Sequence, residues 1–176
     1  MSTSALMTVE EYLKLDVKPY CEYIDGAIYP KTVPTFLHGF VQLLLGSLLI
    51  AHTRQFIASS EVRIRVRPGK YLIPDIVVVR REHYEHPYPT KAAYLCIEIV
   101  SPDDKLEELL AKCEEYHAWG VPYCWVVDPE QRTAWSYDRG AESVKLSASG
   151  TLVAGEIEIP LTEIFSRMPE NERAGL

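Results

Sequence analysis

Two carboxylates interrupt runs that are otherwise apolar and largely β-branched. Residues 73–79 read IPDIVVV and residues 94–100 read YLCIEIV. Runs of this kind suit strands covered on both faces, so the chain is constrained to a sheet packed between layers. Asp75 and Glu98 are then expected inside it. A carboxylate is costly to bury unpaired. Successive strand residues point to opposite faces, so Asp75 shares its face with Val77 and Val79, and Glu98 with Cys96 and Val100. If the two strands are neighbours, both acids converge on one point. Two hard oxygen ligands and a backbone carbonyl suit Mg²⁺ or Mn²⁺, and such an ion supplies a Lewis acid for phosphodiester cleavage. The alternative is that each acid pairs with an arginine.

The remaining pattern supplies the layers. Thr8-Val9-Glu10-Glu11 is a capping box opening a short helix to about Leu15, and Asp25-Gly26 between two apolar-aromatic arms predicts a hairpin over 20–29. Between Lys31 and Arg54 lie 22 residues without a formal charge. That length could span a membrane, but Pro34, His38, Gln42, Ser47 and His52 interrupt it, and a buried helix from about Phe36 to His52 is expected. Glu61 to Arg67 alternates strictly, with Val62, Ile64 and Val66 on one face and Glu61, Arg63, Arg65 and Arg67 on the other. Ser101-Pro102-Asp103-Asp104 predicts a helix start with a capping serine and acids at the positive helix end. Leu106, Leu109, Leu110, Cys113 and His117 form its apolar stripe, and Gly120 with Pro122 ends it. Residues 123–127 form a further strand. Residues 133–137, 144–147 and 156–159 read as a peripheral meander, and the last ten residues as a frayed tail. The whole is one domain over residues 1–176 with an ordered core near 8–165, a mixed α/β sheet with flanking helices.

Charge narrows the partner classes. The chain carries 18 Lys and Arg against 25 Asp and Glu, a net charge of −7, with a pI near 5.3. That excludes a surface coated in positive charge but not a local strip. Residues 54–81 hold Arg54, Arg63, Arg65, Arg67, Lys70, Arg80 and Arg81 against only Glu61 and Asp75. A strand face bearing Arg63, Arg65 and Arg67, continued by Lys70, could follow a phosphate backbone; the alternative is an edge strand protected by charge. Cys21, Cys96, Cys113 and Cys124 form no CxxC pair and read as reduced, buried thiols of a cytoplasmic protein. His83 and His86 have a metal-like spacing but fall in a Pro/Tyr-rich loop, and the three tryptophans have apolar neighbours that favour the core. The N-terminus has no basic cluster and no long apolar stretch, so no secretory signal is expected.

Lys112 lies on the helix after Glu98, about 120° from the centre of the apolar stripe. There its stem can cover the core while the ammonium reaches a strand end. Tyr116 follows one turn later, and Glu108, one turn back, can pair with Lys112 at i,i+4. Taken alone, that surface ion pair is the simpler reading.

Together, IPDIVVV, IEIVSP, a helix with Lys112 and Tyr116, and GVPYCWVVDP at 120–129 resemble the Uma-type restriction endonuclease family, a branch of the PD-(D/E)XK nucleases. YCEYIDGAIY at 20–29 resembles that family's YELIDG segment, and His38 resembles a histidine on its long helix. The likeness runs from about Thr8 to Phe165. It implies a restriction-endonuclease-like core with an added C-terminal β meander, and a Mg²⁺- or Mn²⁺-dependent endonuclease acting on DNA. Asp75, Glu98 and the Ile99 carbonyl would hold the ion, with Glu61 as a further ligand or a partner of Arg63 or Arg65. Lys112 would orient or deprotonate the attacking water, supported by His38, Glu108 and Tyr116.

Two departures stand out. The ExK position carries Val100, which moves the lysine role to Lys112, and the small polar pair usual after Ser-Pro is Asp103-Asp104. Extra negative charge near a phosphate path disfavours DNA, so a weakly active or inactive binding module is the rival reading. An enzyme of small phosphorylated substrates, needing a closed pocket, is a third. Cutting two strands often uses two copies, so a homodimer is compatible with the reading, although the sequence does not show one.

Overall fold

The computed structural model describes residues 6–51 and 54–169. Helix α1 (Val9–Leu13) carries the expected capping box: the Glu11 amide donates to Thr8 Oγ1 at 3.2 Å, and the Thr8 amide to Glu11 Oε2 at 2.8 Å. Strands β1 (Cys21–Ile24) and β2 (Ala27–Pro30) form the hairpin. Its turn places Asp25 and Gly26 at φ of 48° and 97°, the left-handed geometry that favours Asp-Gly. Helix α2 (Phe36–Ala51) follows; His52 lies outside the described residues. Next come β3 (Phe56–Ser60), β4 (Ile64–Arg67), β5 (Lys70–Leu72), β6 (Ile76–Arg80) and β7 (Leu95–Ile99). Helix α3 (Leu106–Trp119) precedes β8 (Tyr123–Asp128), β9 (Thr133–Asp138) and β10 (Val144–Leu146). A hairpin of β11 (Thr151–Ala154) and β12 (Ile157–Pro160) leads into α4 (Leu161–Phe165).

The central sheet has six strands in the order β10-β9-β8-β7-β6-β3. Only β7 and β8 pair in parallel, joined by the α3 crossover; the other neighbours are antiparallel. A second, four-stranded sheet runs β2-β1-β5-β4. One face of the central sheet, with Ile76, Val78, Ile97 and Trp125, packs on Val41, Leu45 and Leu49 of α2 and on the β11–β12 hairpin and α4. The other face, with Val77, Cys96, Cys124 and Val126, packs on Cys113 and Tyr116 of α3. A mixed α+β sheet sandwiched between layers is therefore what the sequence implies and what forms.

Several expectations need correction. The 73–79 run is not one strand. Pro74 has no amide to donate, β5 stops at Leu72, and Asp75 sits in the bend just before β6. The 61–67 strand is shorter, Ile64–Arg67, because Glu61 adopts a left-handed φ of 54° in the turn after β3; Glu61 does not share the arginine face. Strand β3, unforeseen, pairs with β6 along its length.

Helix α3 begins at Leu106, not at the serine. Ser101 instead enters a tight turn, its amide donating to Asp104 Oδ2 at 2.8 Å, and the N-cap of α3 is Lys105, with no side-chain cap bond. The α3 end is as expected, with Gly120 at φ 118°. Helix α2 is not buried all round: Phe36 and Leu43 are 84% and 75% exposed. No helix among the described residues is long and apolar enough to cross a membrane.

The supposed peripheral meander is split. Strand β9 belongs to the central sheet and buries Ala134 and Trp135, while β11, β12 and α4 form part of the core, reaching the buried Met168. Residues 170–176, the rest of the expected tail, lie outside the described residues. All four cysteines are free and buried.

Candidate active site

The bend before β6, the C-terminal end of β7, the hairpin β1–β2 and the inner faces of α2 and α3 enclose a cleft of about 490 Å³. Asp75 and Glu98, each 3% exposed, open onto it. Glu98 points toward α3 because it follows the Cys96 face of β7. Asp75 reaches the same cleft because the Pro74 bend turns it out of the β6 ladder, and its Oδ2 accepts from the Ile99 amide at 2.7 Å. That bond ties the bend directly to the residue after Glu98.

Both acids are held by named partners. The ammonium of Lys31 lies 2.6 Å from Asp75 Oδ1 and donates to the Ile73 carbonyl at 3.0 Å. His38 Nε2 stands 3.2 Å from Asp75 Oδ2; the carboxylate can only accept, so this nitrogen carries the proton. Its Nδ1 is buried with no partner. Gln42 Nε2 donates to the Asp75 carbonyl at 2.8 Å. Glu98 Oε1 accepts a short hydrogen bond from the Tyr116 hydroxyl and lies 3.1 Å from Lys112 Nζ. Lys112 also reaches Glu22 Oε1 at 2.7 Å, and the Ile73 amide donates to the same oxygen at 2.9 Å. The site thus holds two ionic groups side by side: Lys31 on Asp75, and Lys112 between Glu98 and Glu22.

The electrostatics follow from burial and neighbours. Burial raises the Glu98 carboxyl; Lys112 offsets this only in part and the charge of Asp75 adds to it. Burial works the same way on Asp75, but the His38 hydrogen bond and the Lys31 charge outweigh it and hold the carboxyl well below the usual range. Burial disfavours both ammoniums, yet Asp75 and Glu98 raise Lys31, and Glu98 and Glu22 raise Lys112. Tyr12 is raised to about 12, first by burial.

Groups with raised folded values contribute stability below their unfolded values that is lost as pH rises through the folded ones. Melting temperature should therefore hold from neutral pH to about 10 and fall beyond it. A melting curve unchanged up to pH 12 contradicts the buried ammonium contacts. On the acid side the two carboxylates oppose each other. The stability due to Asp75 is lost as pH falls below about 4, whereas Glu98 favours the folded chain when protonated.

The other sequence candidates separate clearly. Lys112 meets Glu98 as the constellation requires, and Tyr116 and His38 support the two acids directly. Glu108 does not pair with Lys112: it bonds Lys105 at 3.0 Å on the cleft rim. Glu61 lines the cleft, and its amide donates to the Asp75 carbonyl at 3.2 Å; no ion pair joins it to Arg63 or Arg65 among the described residues.

The basic strip is largely engaged within the chain. Arg63 donates to the Leu13 and Leu15 carbonyls and stacks on Tyr12. Arg67 clamps Asp25 with two hydrogen bonds, and Lys70 bonds Glu115 at 2.9 Å. Arg65 is exposed beside Tyr71. His83 closes a single 3-10 turn at 81–83.

Sequence reasoning missed Lys31, Gln42 and Glu22 as members. Glu22 left a trace as a charge inside an apolar-aromatic hairpin arm, and Gln42 as a polar interruption of the long apolar helix.

Among the described residues, no group of three or more His, Cys, Asp and Glu is already arranged around a metal position. The donor chemistry nevertheless fits a small hard cation: Glu22, Asp75 and Glu98 are three carboxylates on one cleft, with no thiolate beside them. A cationic group already stands against a carboxylate and a backbone carbonyl, the Lys31 ammonium on Asp75 and Ile73.

Comparison with known proteins agrees with this architecture. A family model described as "Uma2: Putative restriction endonuclease" matches residues 9–165. A solved structure described as a putative nuclease belonging to DUF820, from Anabaena variabilis ATCC 29413, is 24% identical with a TM-score of 0.79. The match covers 91% of this chain and 98% of that one. A search of curated proteins finds no match. The structural likeness establishes a restriction-endonuclease-like α+β fold.

Proposed function

Because the chain belongs to the Uma2 restriction endonuclease family, we propose that it is a divalent-metal-dependent nuclease hydrolysing DNA phosphodiester bonds. The observation that carries this reading is the meeting of Asp75, Glu98 and Lys112 on one cleft although they come from a bend, a strand and a helix. Asp75, Glu98 and the Ile99 carbonyl would hold Mg²⁺ or Mn²⁺, with Glu22 in place of Glu61 as the third carboxylate. Such an ion supplies Lewis-acid polarisation of a phosphoryl oxygen.

The chain's own residues do the rest. Lys112 stays protonated, because Glu98 and Glu22 raise it against the effect of burial. It therefore acts as a donor and a positive charge that orients water and offsets charge on the scissile phosphate, and is not the base. His38 and the Ile99 amide fix the Asp75 carboxylate, and Tyr116 fixes Glu98. With Arg63, Arg67 and Lys70 engaged within the chain, the exposed Arg65 is the side chain of the strip we assign to DNA phosphates, joined by Lys105 on the rim, whose ion pair with Glu108 lies in solvent.

One observation favours the rival reading, a non-catalytic binding module. Both oxygens of Asp75 are already taken by groups of the same chain. Plasmid nicking separates the two. The full chain with supercoiled DNA and Mn²⁺ should produce nicked circles, and EDTA should stop it. Plasmid left intact by folded protein at millimolar Mg²⁺ and Mn²⁺ rejects the nuclease and leaves the module.

A further inference from the structure

The ion pair between Lys31 and Asp75 sits where the proposed reaction needs a free carboxylate. Lys31 directly follows β2, and its backbone amide donates a hydrogen bond to the Tyr20 carbonyl at 2.7 Å. Its side chain reaches the link between β5 and β6 and places Nζ 2.6 Å from Asp75 Oδ1 and 3.0 Å from the Ile73 carbonyl. The side chain is 17% exposed and lines the cleft. Of the contacts around Asp75, it alone combines a full charge with a long rotatable stem. The Ile99 amide belongs to a strand, and His38 is a buried ring on a helix.

We propose that Lys31 is a tethered internal cation that occupies the metal position at Asp75 and must be displaced before a divalent ion binds. The inference rests on the reading of Asp75 as a cation ligand. The ammonium engages Asp75 Oδ1, a hard-oxygen donor that a small divalent ion would also take. Without such a charge Asp75 would be a buried carboxylate held only by neutral donors, which is costly.

Lys31 therefore keeps the metal-free site folded and sets a threshold for loading. A divalent ion enters only where its interaction with Asp75 and its neighbours exceeds that of the ammonium. The stem lets Nζ swing aside without backbone movement. The affinity of the site is then set by a residue outside the acid–acid–lysine constellation.

The test compares metal uptake in the wild type, Lys31→Gln and Lys31→Arg as full-length, EDTA-stripped chains, by calorimetric titration with Mn²⁺. Lys31→Gln keeps an N–H donor on a side chain one bond shorter and removes the charge. It should bind Mn²⁺ at least about tenfold more tightly, since breaking a charge-assisted hydrogen bond is no longer part of loading. Lys31→Arg, which keeps a cation, should stay close to wild type.

Thermal melts provide a second readout. Lys31→Gln should melt lower than wild type without metal and gain more from Mn²⁺. If Lys31→Gln folds poorly, the larger Mn²⁺-induced gain remains measurable. A purely structural lysine lowers the melting temperature without changing Mn²⁺ affinity. Equal affinity in wild type and Lys31→Gln overturns the proposal and leaves the metal reading intact. No uptake in any of the three overturns both.

Discussion

Lys112→Met is expected to lower folding stability by about 3–5 kcal/mol, because it leaves buried acids without their cation, and to remove nuclease activity at the same time. The Lys112 ammonium lies between Glu22 at 2.7 Å and Glu98 at 3.1 Å, and its side chain is only 16% exposed. Methionine fills a similar volume, so the loss is electrostatic and not a cavity. The mechanism has a clear signature. Much of the penalty is the cost of uncompensated carboxylates, so Glu22→Gln added to Lys112→Met should recover part of the stability. It should recover none of the activity, because the donor aimed at the cleft is still missing. Urea denaturation of the two single variants and the double variant measures the first. Plasmid nicking at a temperature where all remain folded measures the second. Strictly additive losses, or an active Lys112→Met protein, rule out the shared-cation account.

Asp75→Asn is expected to abolish Mn²⁺ uptake and to cut nicking about a thousandfold or more. Losing a metal-ion site removes several kcal/mol of transition-state stabilisation, and each 1.36 kcal/mol is a factor of about ten in rate. Asparagine retains an acceptor for the Ile99 amide, so the bend before β6 should survive. With that single oxygen turned to Ile99, the amide nitrogen faces Lys31, whose ammonium loses both its acceptor and its counter-charge. The variant should therefore stay folded but melt lower, with the loss relieved in Asp75→Asn/Lys31→Gln. Folded Asp75→Asn that still takes up Mn²⁺ and nicks plasmid removes Asp75 from the site.

Much of this site is legible in the order of residues. Asp75 and Glu98 stand out because ionised groups in apolar runs must find partners. Lys112 and Tyr116 follow from helical spacing on the element after Glu98. What misleads is local. Pro74 breaks the 73–79 run, yet the same bend delivers Asp75 to the cleft, so the geometry differs from the expected alternating strand while the convergence holds. The i,i+4 rule pairs Lys112 with Glu108, but an exposed neighbour loses to the buried Glu98 and the largely buried Glu22; Lys112 turns inward and Glu108 turns to Lys105. The basic strip is visible as composition only. Whether Arg63, Arg67 and Lys70 face a ligand or their own chain depends on Leu13, Asp25 and Glu115, none of them strand neighbours in sequence.

The amino-acid sequence by itself dictated what depends on near neighbours: the capping box at Thr8, the Asp25-Gly26 turn, the Gly120 helix end, and the fact that two acids would be buried. Folding alone decided which charges answer them. Lys31 and Glu22 enter the site because the hairpin β1–β2 pairs with β5, which brings residues 42 to 51 positions away in sequence onto the Ile73–Asp75 bend. Helical and strand periodicities carry information over a few residues. The counter-charge of a buried group is chosen by long-range packing and by the cost of leaving it unpaired.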